Sequence, residues 1–210
     1  MRRAARIEAD IERLADDPEL GRALDRTGPI SVRLREPGFG TLLHLVLEQQ
    51  ISIDAARTMY ERLVDECGGT VAPEAVLALD DATMRACGFT RQKTAYARDV
   101  ARRLLDGSLD LERLGDLPGE EADAILNGLH GVGPWTADTY RLWALGERDV
   151  FPRGDLALAL GWQEIAGLAE RPASAVLDAI ALRWRPRRSA AAMIVWHHYL
   201  ATRGRQVGAP

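Results

Sequence analysis

The chain has 210 residues, is 47% hydrophobic and 28% charged, and carries a formal net charge of −4. That is an ordinary water-soluble composition, enough for one globular unit or for two lobes sharing a core. No run of about 18 apolar residues exists and charges recur through the opening MRRAARIEADIERL, so neither a membrane span nor a secretory signal is expected, and the cytoplasm is the default.

Apolar residues recur at three- and four-residue spacing over 5–16, 41–50, 54–66, 91–106, 119–129, 134–145, 156–166, 173–183 and 187–202. Glycine or proline punctuates most junctions, among them Gly68-Gly69, Gly88, Gly107, Pro118-Gly119, Gly131, Gly133-Pro134, Gly146, Pro152 and Pro186. Alternating strand-like runs are almost absent, so an all-α fold is predicted. Positions such as Leu42, Leu45, Val46, Leu104 and Ile194 are read as core. The two cysteines, Cys67 and Cys87, are too few for a disulfide framework or a four-ligand zinc site, and His44, His130, His197 and His198 lack zinc spacing. Of the 27 basic residues only Lys93 is a lysine; arginine supplies a planar fork suited to phosphate. A local arginine patch, of which Arg183 to Arg188 is the densest, therefore matters more than the net charge.

The informative stretch is residues 119–145, GEEADAILNGLHGVGPWTADTYRLWAL. Ala122, Ile125, Leu126 and Leu129 form one apolar face; Gly131-Val132-Gly133-Pro134 then turns the chain, and a second helix carries Ala137, Tyr140, Leu142, Trp143 and Leu145. Two helices joined by glycines two apart make a helix-hairpin-helix. Glycines let main-chain N–H groups approach a phosphate, and a helix N-terminus favours an anion. Such a turn can grip a DNA backbone without lysines and without reading sequence; an ordinary αα-turn is the other reading of the same glycines.

Leu129-His130-Gly131-Val132-Gly133-Pro134-Trp135-Thr136-Ala137 resembles the hairpin of the helix-hairpin-helix (HhH-GPD) DNA glycosylase superfamily, and within it the 3-methyladenine DNA glycosylase II branch. Asp149-Val150-Phe151-Pro152-Arg153-Gly154-Asp155-Leu156 matches the family pattern of Val-Phe-Pro, two variable residues, then Asp-Leu, which makes Asp155 the catalytic candidate. Asp155 also directly precedes an apolar helix and suits an N-cap; the two roles are compatible. Asp138 and Asp149 are rivals that do not match the catalytic position: Asp138 is read as facing DNA or solvent, Asp149 as a turn residue.

The resemblance spans roughly residues 38–200. Leu47-Glu48-Gln49-Gln50-Ile51-Ser52 resembles an early family motif in which the position of Gln50 enters the space left by a flipped nucleotide. Gly88 to Tyr96, including Lys93, resembles a segment used as scaffold, and Arg183 to Ala191 a C-terminal motif bordering the base pocket. At Arg187 parts of the family carry an aromatic residue, a departure that bears on base selectivity.

The resemblance implies two helical lobes with the active-site cleft between them. One is expected from residues 1–30 plus 148–210, the other from 31–147, ending in the hairpin. The form expected is compact, without the extra N-terminal domain of larger bacterial members, and monomeric. Trp135, Tyr140 and Arg187 are expected at the base pocket. Gln50, Gly131, Gly133, Thr136 and Arg188 are expected on DNA, the turn through its main-chain N–H groups. The carbonyls of Asn127, Leu129 and Gly131 are candidates for a structural Na⁺ or K⁺; no other cofactor is expected.

The implied partner is double-stranded DNA containing damaged bases, and the implied reaction is hydrolysis of the N-glycosidic bond of an alkylated base. Strand nicking needs an amine, and Trp135 stands where bifunctional members place a lysine. Iron–sulfur relatives need four cysteines near the C-terminus. A non-catalytic helix-hairpin-helix DNA-binding protein is the alternative, and a glycosylase for oxidised or mismatched bases is disfavoured.

Overall fold

The computed structural model describes residues 2–205. Its helices are α1 (Arg2–Leu14), α2 (Pro18–Thr27), α3 (Phe39–Glu48), α4 (Ile53–Glu66), α5 (Pro73–Ala78), α6 (Asp81–Ala86), α7 (Arg91–Leu105), α8 (Gly119–Asn127), α9 (Pro134–Trp143), α10 (Leu156–Ala166), α11 (Ser174–Ala181) and α12 (Arg188–Ala201). Among the described residues there is no β-strand, and no helix is long and apolar enough to cross a membrane. Nine of these helices fall on the nine periodic stretches. The other three lie outside those stretches: α5 and α6 have only six residues each, and α2, ten residues long, buries Leu20 and Ala23. Their signals are caps: Asp17 and Asp80 accept first-turn N–H groups of α2 and α6, and Pro18 and Pro73 open α2 and α5.

The helices group into two units, one comprising residues 2–34 and 141–205, the other Arg35–Tyr140. The chain passes from the second unit to the first within α9.

In the first unit α12 runs through the core, with every residue from Ser189 to Trp196 buried. It packs among Ile7, Ile11 and Leu14 of α1, Leu20 and Ala23 of α2, and Leu158, Trp162 and Ile165 of α10. Asp10 of α1 lies at the centre of an ionic cluster: Arg148 binds it through two 2.7 Å hydrogen bonds, Arg187 lies at 3.4 Å and Arg13 at 3.5 Å. A carboxylate with no exposed surface is tolerable only with such partners.

In the second unit the central element is α3, where Phe39 and Leu42 to Leu47 are all buried. His44 stacks on Tyr60 (ring centroids 4.4 Å apart), and Glu48 accepts a 2.6 Å bond from Arg35. Burial pushes the Glu48 carboxyl up. Burial and the Arg35 cation push His44 down to about 4.

Candidate active site and nucleic-acid interface

Asp155 sits immediately before α10, in the first unit, and is 9% exposed. Its Oδ1 accepts the Leu158 N–H at 2.7 Å and the Trp196 indole N–H at 3.1 Å. The residue is thus an N-cap, and it is also oriented by a side chain 41 positions away. The Trp196 ring is itself held, stacked on Trp143 at 5.8 Å and 21°. Sequence reasoning missed Trp196. Its one available signal, a tryptophan within the α12 core stripe, reads simply as packing.

The loop before Asp155 is fixed along most of its length. Ser189 Oγ accepts the Val150 N–H at 3.1 Å and donates to the Glu147 carbonyl at 2.6 Å; Asp149 meets Arg188, and Arg148 meets Asp10. Val150 and Phe151 are buried, the latter beside Trp184 at 5.8 Å. Pre-organisation of this kind keeps a carboxylate in one place without reorganisation during reaction.

These bonds correct the reading of the arginine cluster. Arg188, expected on DNA, donates to Asp149 through Nε (2.8 Å) and Nη2 (3.1 Å) and to the Asp149 carbonyl (2.7 Å), so its fork is engaged within the unit. Arg187, expected at the base pocket, is directed to the buried carboxylate of Asp10. Arg183 pairs with Asp17 and Glu19, and Arg185 with Asp149. The densest basic run is neutralised by acids from α1, the start of α2 and the loop before α10. The pull on Asp149 from Arg188 and Arg185 holds its carboxyl below the usual range, though burial opposes them.

In the second unit the hairpin is formed by α8, the turn at 128–133 and α9. Its two glycines have different causes. Gly131 has φ +86°, and a Cβ there would fall 2.0 Å from Tyr96 Cδ2, so internal packing demands glycine. At Gly133 a Cβ would meet nothing within 4 Å. No internal contact explains that glycine, which leaves open space beside the first turn of α9. The earliest N–H groups of that helix have no intrahelical acceptor by geometry. Thr136, expected on DNA, is buried as a whole residue, with its hydroxyl accepting the Gln49 amide.

Trp135 is half-buried at the second position of α9. Tyr140 is not where the base-pocket reading needs it. It is fully buried, its hydroxyl accepts the Gly38 N–H at 2.8 Å, and burial pushes it up to about 12. It is a core residue, because the helical period that presents Trp135 carries Tyr140 to another face. Asp138, read as facing DNA or solvent, is buried as well.

Gln50 follows the end of α3, is exposed, and has φ +63°, the one non-glycine residue at positive φ among those described. Its neighbour Gln49 turns inward, donating from Nε2 to the Gly131 carbonyl (2.9 Å) and to Thr136 Oγ1 (2.8 Å). Lys93 also points inward: Nζ donates to the carbonyls of Leu47 (2.9 Å) and Gln49 (3.2 Å). Of the three candidate cation ligands, Leu129 O already accepts the Val132 N–H, and Gly131 O the Gln49 amide. Each carbonyl retains a second lone pair, and neutral oxygens suit a monovalent cation.

Residues 43–186 match the HhH-GPD superfamily base excision DNA repair protein family. YfjP of Bacillus subtilis is 27% identical over 165 residues, covering 75% of this chain and 58% of its own. DNA-3-methyladenine glycosylase 1 of Schizosaccharomyces pombe is 27% identical over 169 residues, covering 79% and 74%. This chain thus spans between about half and three quarters of these relatives. The solved structure of the fission yeast 3-methyladenine DNA glycosylase Mag1 with abasic DNA superposes with a TM-score of 0.83 at 24% identity, covering 91% of this chain and 95% of that one. The chain belongs to the HhH-GPD superfamily of base excision DNA repair proteins.

Proposed function

We propose that the protein is a monofunctional DNA glycosylase that flips alkylated bases of the 3-methyladenine type from duplex DNA and hydrolyses the N-glycosidic bond. The observation that carries this reading is the setting of Asp155. A nearly enclosed carboxylate is oriented by the Leu158 and Trp196 N–H groups on a loop pinned at Arg148, Asp149 and Val150. Beside C1′ of deoxyribose, it stabilises the positive charge that develops as the bond to the base breaks. The bonding electron pair leaves with the base. For an N-alkylated purine this turns a cation into a neutral leaving group, so little acid catalysis is needed. Water attacks C1′, and its proton passes to the carboxylate or to solvent.

Trp135 remains the candidate stacking face; a tryptophan π-face attracts a cationic base. The turn at Gly131 to Thr136 holds phosphate through main-chain N–H groups, and Gln50 enters the duplex where the nucleotide leaves. A Na⁺ or K⁺ at the carbonyls of Asn127 and Leu129, with Gly131, would add positive potential at the turn. Lyase chemistry lacks its amine: Trp135 occupies the hairpin position, and Lys93 Nζ is held by two carbonyls at the end of α3.

The test is single-turnover base release from duplexes containing 3-methyladenine, 7-methylguanine, hypoxanthine or ethenoadenine, with and without hot alkali. Wild type should yield strand breaks only after alkali, borohydride should trap no adduct, and Asp155→Asn should abolish release while retaining binding to abasic DNA. Near wild-type release by Asp155→Asn removes the catalytic assignment. Binding without release of any lesion by wild type leaves a DNA-binding module.

A further inference from the structure

The strained residue of the second unit is also its most exposed polar candidate. Gln50 occupies the position just past a helix C-terminus, where a left-handed residue is usually glycine or asparagine. A glutamine there persists only when its surroundings over-determine the backbone. Lys93 Nζ clamps the carbonyls of Leu47 and Gln49, the last turn of α3, bringing positive charge to the negative end of the helix. The Gln49 amide ties the same turn to Gly131 O and to Thr136 Oγ1 at the start of α9. Tyr96, one turn along α7 from Lys93, fills the space where Gly131 lacks a side chain and bonds Gln92. Three segments distant in sequence thus meet at one strained turn.

We infer that Lys93 and Gln49 form a brace that fixes Gln50 to the hairpin turn, so that duplex opening and phosphate grip act as one pre-organised element. Lys93 is then a positioning residue for base flipping. This rests on the reading of Gln50 as the inserting side chain. It also accounts for a lone lysine, in a chain that otherwise uses arginine, with its ammonium turned to two main-chain carbonyls. A slender ammonium fits between two carbonyls where a planar fork would not. Desolvation lowers the Lys93 ammonium from its ordinary value, as expected for a cation drawn inward.

The brace makes its difference where opening the duplex is the demand. Flipping a paired base costs more than flipping one whose partner is missing. Lys93→Met and Gln49→Ala should slow single-turnover release of 7-methylguanine paired with cytosine by about tenfold. Release of the same lesion opposite a tetrahydrofuran abasic analogue should change by less than about twofold. Lys93→Met in a Gln50→Ala background should add nothing further, and Lys93→Arg should restore little.

In the DNA-free protein, the Gln49 side-chain amide protons should exchange slowly by NMR in wild type and rapidly in Lys93→Met, with melting temperatures recorded for each variant. Equal loss in both lesion contexts, or none in either, overturns the positioning role. Fast Gln49 amide exchange in wild type overturns the brace itself, whatever the activity. Release from the paired context at the wild-type rate by Gln50→Ala alone would instead tell against the inserting role of Gln50.

Discussion

Trp196 donates its indole N–H to Asp155 Oδ1 at 3.1 Å, from a ring stacked on Trp143. Trp196→Phe keeps an aromatic ring beside Trp143 but removes the donor together with the pyrrole half of the indole, so melting temperature is recorded alongside the rate. A hydrogen bond to a charged group contributes about 1.5–3 kcal/mol. Base release should therefore slow by roughly 10- to 100-fold, with binding to abasic DNA unchanged. A rate within twofold of wild type would reduce Trp196 to packing.

The two hairpin glycines should respond in opposite ways. Gly131→Ala forces a Cβ onto Tyr96 at positive φ and should destabilise the protein by about 2 kcal/mol or more, seen in urea melts. Gly133→Ala meets nothing and should leave stability within about 0.5 kcal/mol, while weakening affinity for all DNA sequences alike. Unchanged affinity of Gly133→Ala would remove the turn from the DNA interface.

Arg188, engaged with Asp149, should behave as a structural residue. Arg188→Ala is expected to lower stability by about 1–3 kcal/mol and to leave the slope of log affinity against log salt as in wild type. A slope reduced by about one would return Arg188 to a phosphate.

Acid should destabilise the second unit through His44. The folded imidazole takes its proton near 4, the unfolded one near 6.5, so between these values the unfolded chain binds more protons and stability falls as pH falls. Glu48, raised by burial, acts with the opposite sign above its ordinary value of 4.5. His44→Phe keeps the stack on Tyr60 and should flatten the fall in melting temperature between pH 6.5 and 4. An unaltered profile would assign the acid sensitivity to other groups.

Local signals carried the all-α fold, the hairpin and the candidacy of Asp155. Helix periodicity is written in residues three and four apart, and Gly131-x-Gly133-Pro134 and Asp155-Leu156 are each contained in a few consecutive positions. What only the tertiary structure decided is who partners whom. The arginines at 183–188 look like a free basic surface until α1, the start of α2 and the loop before α10 bring Asp10, Asp17, Glu19 and Asp149 against them. Tyr140 looks like a pocket residue until Gly38 takes its hydroxyl. Trp196 reaches Asp155, and Lys93 reaches the end of α3, across separations of 41 and 46 residues. An ion pair or a buried donor is satisfied by whatever the packed helices bring within about 3 Å, and no period in the sequence encodes that choice.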